Sequence, residues 1–123
     1  MKLLIVDDSN LIRTRIASVV ERTQMKGVAI VGLARNGLEA LRIARETQPD
    51  VVTMDLTMPE MDGVSTIREL MRLPQPPNIL VVSALNDKST AITALRLGAR
   101  GFINKPFTDD ELCLALLDVC KPY

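Results

Sequence analysis

Val51-Val52-Thr53-Met54-Asp55-Leu56-Thr57-Met58-Pro59 opens on a strand-like run and closes on a loop headed by an acid. Val51 to Met54 is apolar on both faces, the character of a central parallel strand covered by helices on each side. Leu3 to Val6 and Asn78 to Val82 share that character, and Ala29 to Ala34 and Arg100 to Ile103 complete a set of five runs. Segments of helical period separate them, with no long linker or low-complexity stretch. The alternation predicts an α/β domain with a parallel sheet.

The helical segments carry their own start and stop signals. In the first, Ile12, Ile16, Val19 and Val20 form one buried stripe, with Arg13, Arg15 and Glu21 outside it. Asn36 and Glu39 open the second as a capping box with Asn in the Ser/Thr place, and Leu38, Leu41 and Ala44 follow as its inward face. The third runs from Gly63 to Leu73 and is stopped by Pro74, Pro76 and Pro77. The fourth carries Ile92 and Leu95 and ends at Gly98. Thr108 and Glu111 cap the fifth, whose inward stripe is Leu112, Ala115, Leu116 and Val119. Leu114, Leu117, Cys113 and Cys120 fall outside that stripe. This outer apolar face reads equally as a docking surface or as wider core contact.

Composition bounds what such a domain does. The 123 residues, 47% of them hydrophobic, suit one domain spanning 1–123 with a single core. Fifteen basic and fifteen acidic residues cancel, so the electrostatic footprint of a nucleic-acid or membrane binder is missing. Only four apolar residues separate Lys2 from Asp7, far short of a signal-peptide core or a membrane span, and a cytoplasmic location is expected. Cys113 and Cys120 lie two helical turns apart, too far for a mutual disulfide. The absence of histidine removes Ser-His-Asp and Cys-His catalysis and most zinc sites.

Parallel strands joined by right-handed crossovers bring their carboxyl ends to one edge, where ligands bind. At that edge stand Asp7 and Asp8 after the first strand, Asp55 after the third, Ser83 at the end of the fourth and Lys105 just after the fifth. Each alone has a bland reading: helix cap, loop acid, turn serine, solvated lysine. Together they describe carboxylates crowded enough to need a compensating charge, which a hard cation such as Mg²⁺ and the Lys105 ammonium supply.

The Asp7-Asp8 pair, Asp55-Leu56-Thr57-Met58-Pro59 with Asp62-Gly63, Ser83-Ala84 and Lys105-Pro106-Phe107 together resemble a response regulator receiver domain. The resemblance implies a doubly wound sheet of five strands in the flavodoxin-like order 2-1-3-4-5 with five helices, an order for which the chemotaxis member of this family is itself a standard example. It implies Asp55 as phosphoacceptor, taking its phosphoryl group from a phosphohistidine of a sensor histidine kinase or phosphotransfer protein. Mg²⁺, or Mn²⁺, would be ligated by Asp8, Asp55 and the Thr57 backbone carbonyl, with Asp7 holding a metal-bound water. Ser83 would hydrogen-bond a phosphoryl oxygen and act as a switch residue, and Lys105 would help position and neutralise the group. Phe102 reads equally as a second switch residue or as plain strand packing, and the Lys105-Pro106 bond would be cis. Phe107 is expected only to pack. Thr57 and Leu85 occupy the flanking positions that tune dephosphorylation, and with no carboxylate at either a long-lived phosphoryl group is expected.

Such a protein is a signalling switch rather than an enzyme, limited to its own phosphorylation and dephosphorylation. Its implied partners are a kinase and a downstream protein target or fused output domain, and a phosphorylation-linked homodimer is compatible with it. Two other classes share parts of the pattern. A flavodoxin-like electron carrier would need Ser, Thr and Gly in the first loop, where Asp7 and Asp8 would repel the flavin phosphate. A haloacid-dehalogenase-like phosphatase would need its nucleophile after the first strand and an Asp two residues later, where Ser9 stands.

Overall fold

The computed structural model describes residues 1–23, 25, 27–58, 60–84 and 88–120. Strands β1 (Lys2–Val6), β2 (Ala29–Ala34), β3 (Val51–Met54), β4 (Asn78–Ala84) and β5 (Gly101–Lys105) alternate with helices α1 (Asn10–Arg22), α2 (Gly37–Thr47), α3 (Gly63–Leu70), α4 (Lys88–Arg96) and α5 (Asp109–Val119). All strand pairs are parallel and the order is β2-β1-β3-β4-β5. The expected doubly wound sheet is thus present. Leu3 to Val6 lie in register with Val51 to Met54, so Asp7 and Asp55 leave neighbouring strands at the same level.

Strand alternation divides the core in two. Leu4, Val6, Val52, Met54, Ile79 and Val81 point to one side, where Ala40, Leu41 and Ala44 of α2, Ile67 and Leu70 of α3, and Ala91 and Ala94 of α4 cover them. Leu3, Ile5, Val51, Leu80 and Val82 point to the other, under Ile16, Val19 and Val20 of α1 and Leu112, Leu116 and Val119 of α5. Complete coverage of both faces is why the central runs read as continuous apolar stretches.

Several expected details differ. Arg13, placed outside the α1 stripe, is buried, while Ile12 is only partly so. On α2 the inward face is Gly37, Ala40, Leu41 and Ala44, and Leu38 is exposed. The face begins at Gly37 because α2 sits against the start of α3 so closely that a Cβ there would lie 2.8 Å from the Met61 carbonyl oxygen. Asn36 caps α2 as expected, but Glu39 accepts from the Arg35 amide, one residue before the position a capping box requires. Helix α3 ends at Leu70, not Leu73: Arg72 and Leu73 donate to carbonyls three residues back, tightening the chain ahead of Pro74. The buried face of α4 is alanine, with Ile92 and Leu95 turned outward. The α5 capping box is complete, and Leu114 and Leu117 are exposed as a strip outside the core. Among the described residues no helix is long and apolar enough to cross a membrane.

Candidate functional site

Main-chain bonding carries the sheet geometry one residue beyond its strands. The Asp7 amide donates to the Ala34 carbonyl and the Asp55 amide to the Val6 carbonyl, both at 3.0 Å. Asp7 and Asp55 are therefore fixed by the sheet, and both are buried, whereas Asp8 is exposed at the mouth. One carboxylate oxygen from each of Asp7, Asp8 and Asp55 falls within 4.8 Å of the others.

Lys105 closes this group. It is the last residue of β5 rather than the first after it, and Ser83 likewise lies inside β4, because these strands pair as far as Ala84 and Lys105. Its Nζ stands 2.8 Å from Asp7 Oδ2 and 3.3 Å from Asp55 Oδ1. Among the described residues Asp7 Oδ2 has no other polar partner; Asp7 Oδ1 accepts from the Ser9 amide at 2.9 Å. Ser9, and neither aspartate, caps α1. The Lys105-Pro106 peptide is cis, as expected.

Crowding shows in the protonation equilibria. Burial, and next the Asp7 charge, raise the Asp55 carboxyl from 3.8 to about 6, against the lowering influence of Lys105 and the Thr57 amide. Burial disfavours the Lys105 ammonium, but Asp7 and then Asp55 outweigh it, so its pKa moves up and it stays charged. Lys105 thus pairs with Asp7 and Asp55, while the neighbouring Asp8 adds a third carboxylate at the mouth. A small hard cation fits that imbalance, since its preferred donors are the carboxylate oxygens assembled here.

Ser83 is fully buried in β4, opposite Asn104 and one step before the Ala84–Lys105 pair in the β4–β5 register. The Thr57 side is exposed, and its amide donates to Asp55 Oδ1 at 3.4 Å. Phe102 is half-buried on β5 against the α2-α3-α4 cluster. Phe107 is buried, as expected of a packing residue. Pro59 and Leu85 lie outside the described residues.

The sequence profile of the response regulator receiver domain matches residues 3–117. The chain belongs to that family. Among curated relatives of the receiver, chemotaxis protein CheY of Thermotoga maritima is 38% identical over 120 residues, 98% of each chain. A protein-glutamate methylesterase/protein-glutamine glutaminase of Alkalilimnicola ehrlichii is 43% identical over 89% of this chain, which spans 28% of that protein. Among solved structures, the CheX-CheY-BeF3-Mg²⁺ complex of Borrelia burgdorferi matches with a TM-score of 0.90 at 27% identity, covering 99% of this receiver and 90% of that chain. The response regulator domain of Thermotoga maritima CheB matches with a TM-score of 0.84 at 30% identity, over 100% and 98% of the two chains.

Within this receiver, Asp7, Asp8, Asp55 and Lys105 gather as the sequence led one to expect, and Ser83 lies buried in β4, the strand between β3 and β5. Two neighbours of the site gave no sequence signal. Arg13 and Arg15 read as surface charges on α1, yet Arg13 Nη1 donates to the Asp7 carbonyl and Arg15 Nη2 to the Phe107 carbonyl, each at 2.6 Å. Helical periodicity scores a side chain by its polarity, so it cannot separate an arginine facing water from one turned onto a carbonyl.

Proposed function

We propose that this receiver accepts a phosphoryl group on Asp55 from a phosphohistidine of a sensor histidine kinase or phosphotransfer protein, and that acceptance switches the face formed by α4, β5 and α5. The observation that carries this reading is a buried Asp55 carboxylate held between the Asp7-Asp8 pair and the Lys105 ammonium. An Asp55 carboxylate oxygen attacks the phosphorus and a P–O bond forms. The P–N bond to the imidazole breaks, and the departing nitrogen keeps the electron pair and takes up a proton. Phosphoryl transfer demands positioning and charge neutralisation more than covalent assistance, which suits a site with no histidine.

Asp8, Asp55 and the Thr57 carbonyl would hold Mg²⁺ or Mn²⁺, with Asp7 holding a metal-bound water; when bound, the cation neutralises the phosphoryl oxygens and the carboxylates. The acidic trio and the Mg²⁺ named in the Borrelia burgdorferi complex support this assignment. Lys105, on a four-carbon stem, exchanges its Asp55 contact for a phosphoryl oxygen. Ser83 donates its hydroxyl proton to another, and its movement is relayed through β4 and β5 to half-buried Phe102. Beside Phe102, exposed Leu114 and Leu117 border a shallow apolar groove. The CheX-CheY complex supports the idea that a receiver of this shape engages a protein partner.

The cycle spends the acceptor at each transfer, so the protein acts as a signalling switch, with autodephosphorylation its only turnover. A downstream target or fused output domain reads the state in the cytoplasm. With Thr57 and Leu85 at the tuning positions, the phosphoryl group is long-lived. Intact-mass measurement after incubation with acetyl phosphate and Mg²⁺ tests the proposal: wild type gains one phosphoryl mass and Asp55→Asn does not. A wild type that gains nothing ends it.

A further inference from the structure

Helix α1 carries Arg13 and Arg15, and each guanidinium donates to the main-chain carbonyl of a different site loop. Arg13 is buried; its Nη1 reaches the Asp7 carbonyl at 2.6 Å and its Nη2 reaches Asn10 Oδ1 at 3.2 Å. Arg15 Nη2 reaches the Phe107 carbonyl at 2.6 Å, with its guanidinium stacked 4.8 Å from the centroid of the buried Phe107 ring and Asp109 Oδ1 at 3.4 Å. Asp7 begins the loop that bears Asp8. Phe107 lies two residues past Lys105, across the cis turn. A single helix therefore grips both the acidic loop and the lysine loop, the two sides of the ion pair between Asp7 and Lys105.

We infer that Arg13 and Arg15 are positioning residues for phosphoryl acceptance, Arg13 setting the acidic loop for the cation and Arg15 setting Lys105 for the phosphoryl group. The inference rests on the reading of Asp55 as acceptor. A guanidinium is suited to the task because its rigid fork holds two acceptors at fixed angles, which a lysine ammonium cannot do. Burial of Arg13 is unfavourable unless its donors are satisfied, so its orientation toward the Asp7 carbonyl and Asn10 is strongly determined. Partners that orient a ligand-bearing group, without touching the ion, commonly set its affinity. The two arginines have separate targets, and so their effects separate.

The test is Mg²⁺ titration calorimetry beside the rate of mass gain from acetyl phosphate at saturating Mg²⁺, on wild type, Arg13→Gln, Arg15→Gln and the two Lys variants. All are held below their unfolding temperatures. Arg13→Gln weakens Mg²⁺ binding on the order of ten-fold and leaves the rate at saturating Mg²⁺ near wild type. Arg15→Gln leaves Mg²⁺ affinity unchanged and slows mass gain on the order of ten-fold, by analogy with the same orienting effect. Each Lys variant keeps the charge but loses the fork, and stays nearer its Gln counterpart than wild type. If Arg13→Gln does not fold, Arg13→Lys carries the measurement. Variants that match wild type, that lose both properties together in proportion to lost stability, or that lysine fully restores overturn the inference. A wild type that neither binds Mg²⁺ nor gains mass overturns the acceptor reading first, and the inference with it.

Discussion

Asp55 has its carboxyl raised to about 6, first by burial and then by Asp7, and this has a consequence for stability in the absence of a cation. The folded form binds the Asp55 proton more tightly than the unfolded chain, so stability falls as pH rises from about 4 to about 6 and stays reduced above that. Asp55→Asn removes the titrating group. Urea unfolding in chelator should find the variant more stable than wild type above pH ~6, by on the order of 3 kcal/mol, and equal to it below pH ~4; a constant difference across that range would contradict the electrostatic account. Gly63 makes a second residue-level case. A Cβ there would sit 2.6 Å from Leu56 Cα and closer still to the Asp55 carbonyl oxygen, both parts of the backbone. Gly63→Ala should cost about 1–3 kcal/mol as overpacking, and slow mass gain from acetyl phosphate because the Asp55 loop must move; an unchanged rate would show that the loop absorbs the methyl. Asp7, Asp8, Asp55, Ser83 and Lys105 were legible because strand ends converge by topology. Arg13 and Arg15 were not, because their targets are main-chain carbonyls, which leave no mark in the sequence.

At the scale of elements, periodicity located each strand and helix among the described residues, and failed where packing overrode pattern. Leu38 was taken for core because it is apolar, yet Gly37 sets the buried face of α2 through its close approach to Met61. The α3 boundary moved because the chain tightens before Pro74. Helix α5 separates cleanly: Leu112 and Leu116 are buried, while Leu114 and Leu117 are 67% and 54% exposed. Leu112→Ala should therefore cost about 2–5 kcal/mol, as the removal of a packed core side chain does. Leu114→Ser and Leu117→Ser should stay within about 0.5 kcal/mol of wild type. Urea midpoints at constant slope distinguish the two sets, and a large loss in Leu114→Ser would mean that this face is part of the fold and not free for a partner.

For the whole molecule, the site is a local charge imbalance maintained by global order. The acidic trio gathers, and Lys105 reaches Asp7 and Asp55, only when β1, β3, β4 and β5 are in register with α1 and α5 packed behind them. The unfolded chain scatters these groups, so a cation that satisfies them binds the folded form alone and stabilises it by mass action. At a free Mg²⁺ concentration about 100 times its dissociation constant, the gain is on the order of 2.7 kcal/mol, a rise in Tm of roughly 10 °C for a domain of this size. The rise should depend logarithmically on Mg²⁺ once the site is saturated, vanish on chelation and shrink sharply in Asp8→Asn. Asp8 is the test of choice because it is exposed, so its replacement leaves the apo fold intact while removing one donor. A thermal shift that is equal in Asp8→Asn and wild type would place the stabilising cation elsewhere on the molecule and separate the acidic trio from metal binding.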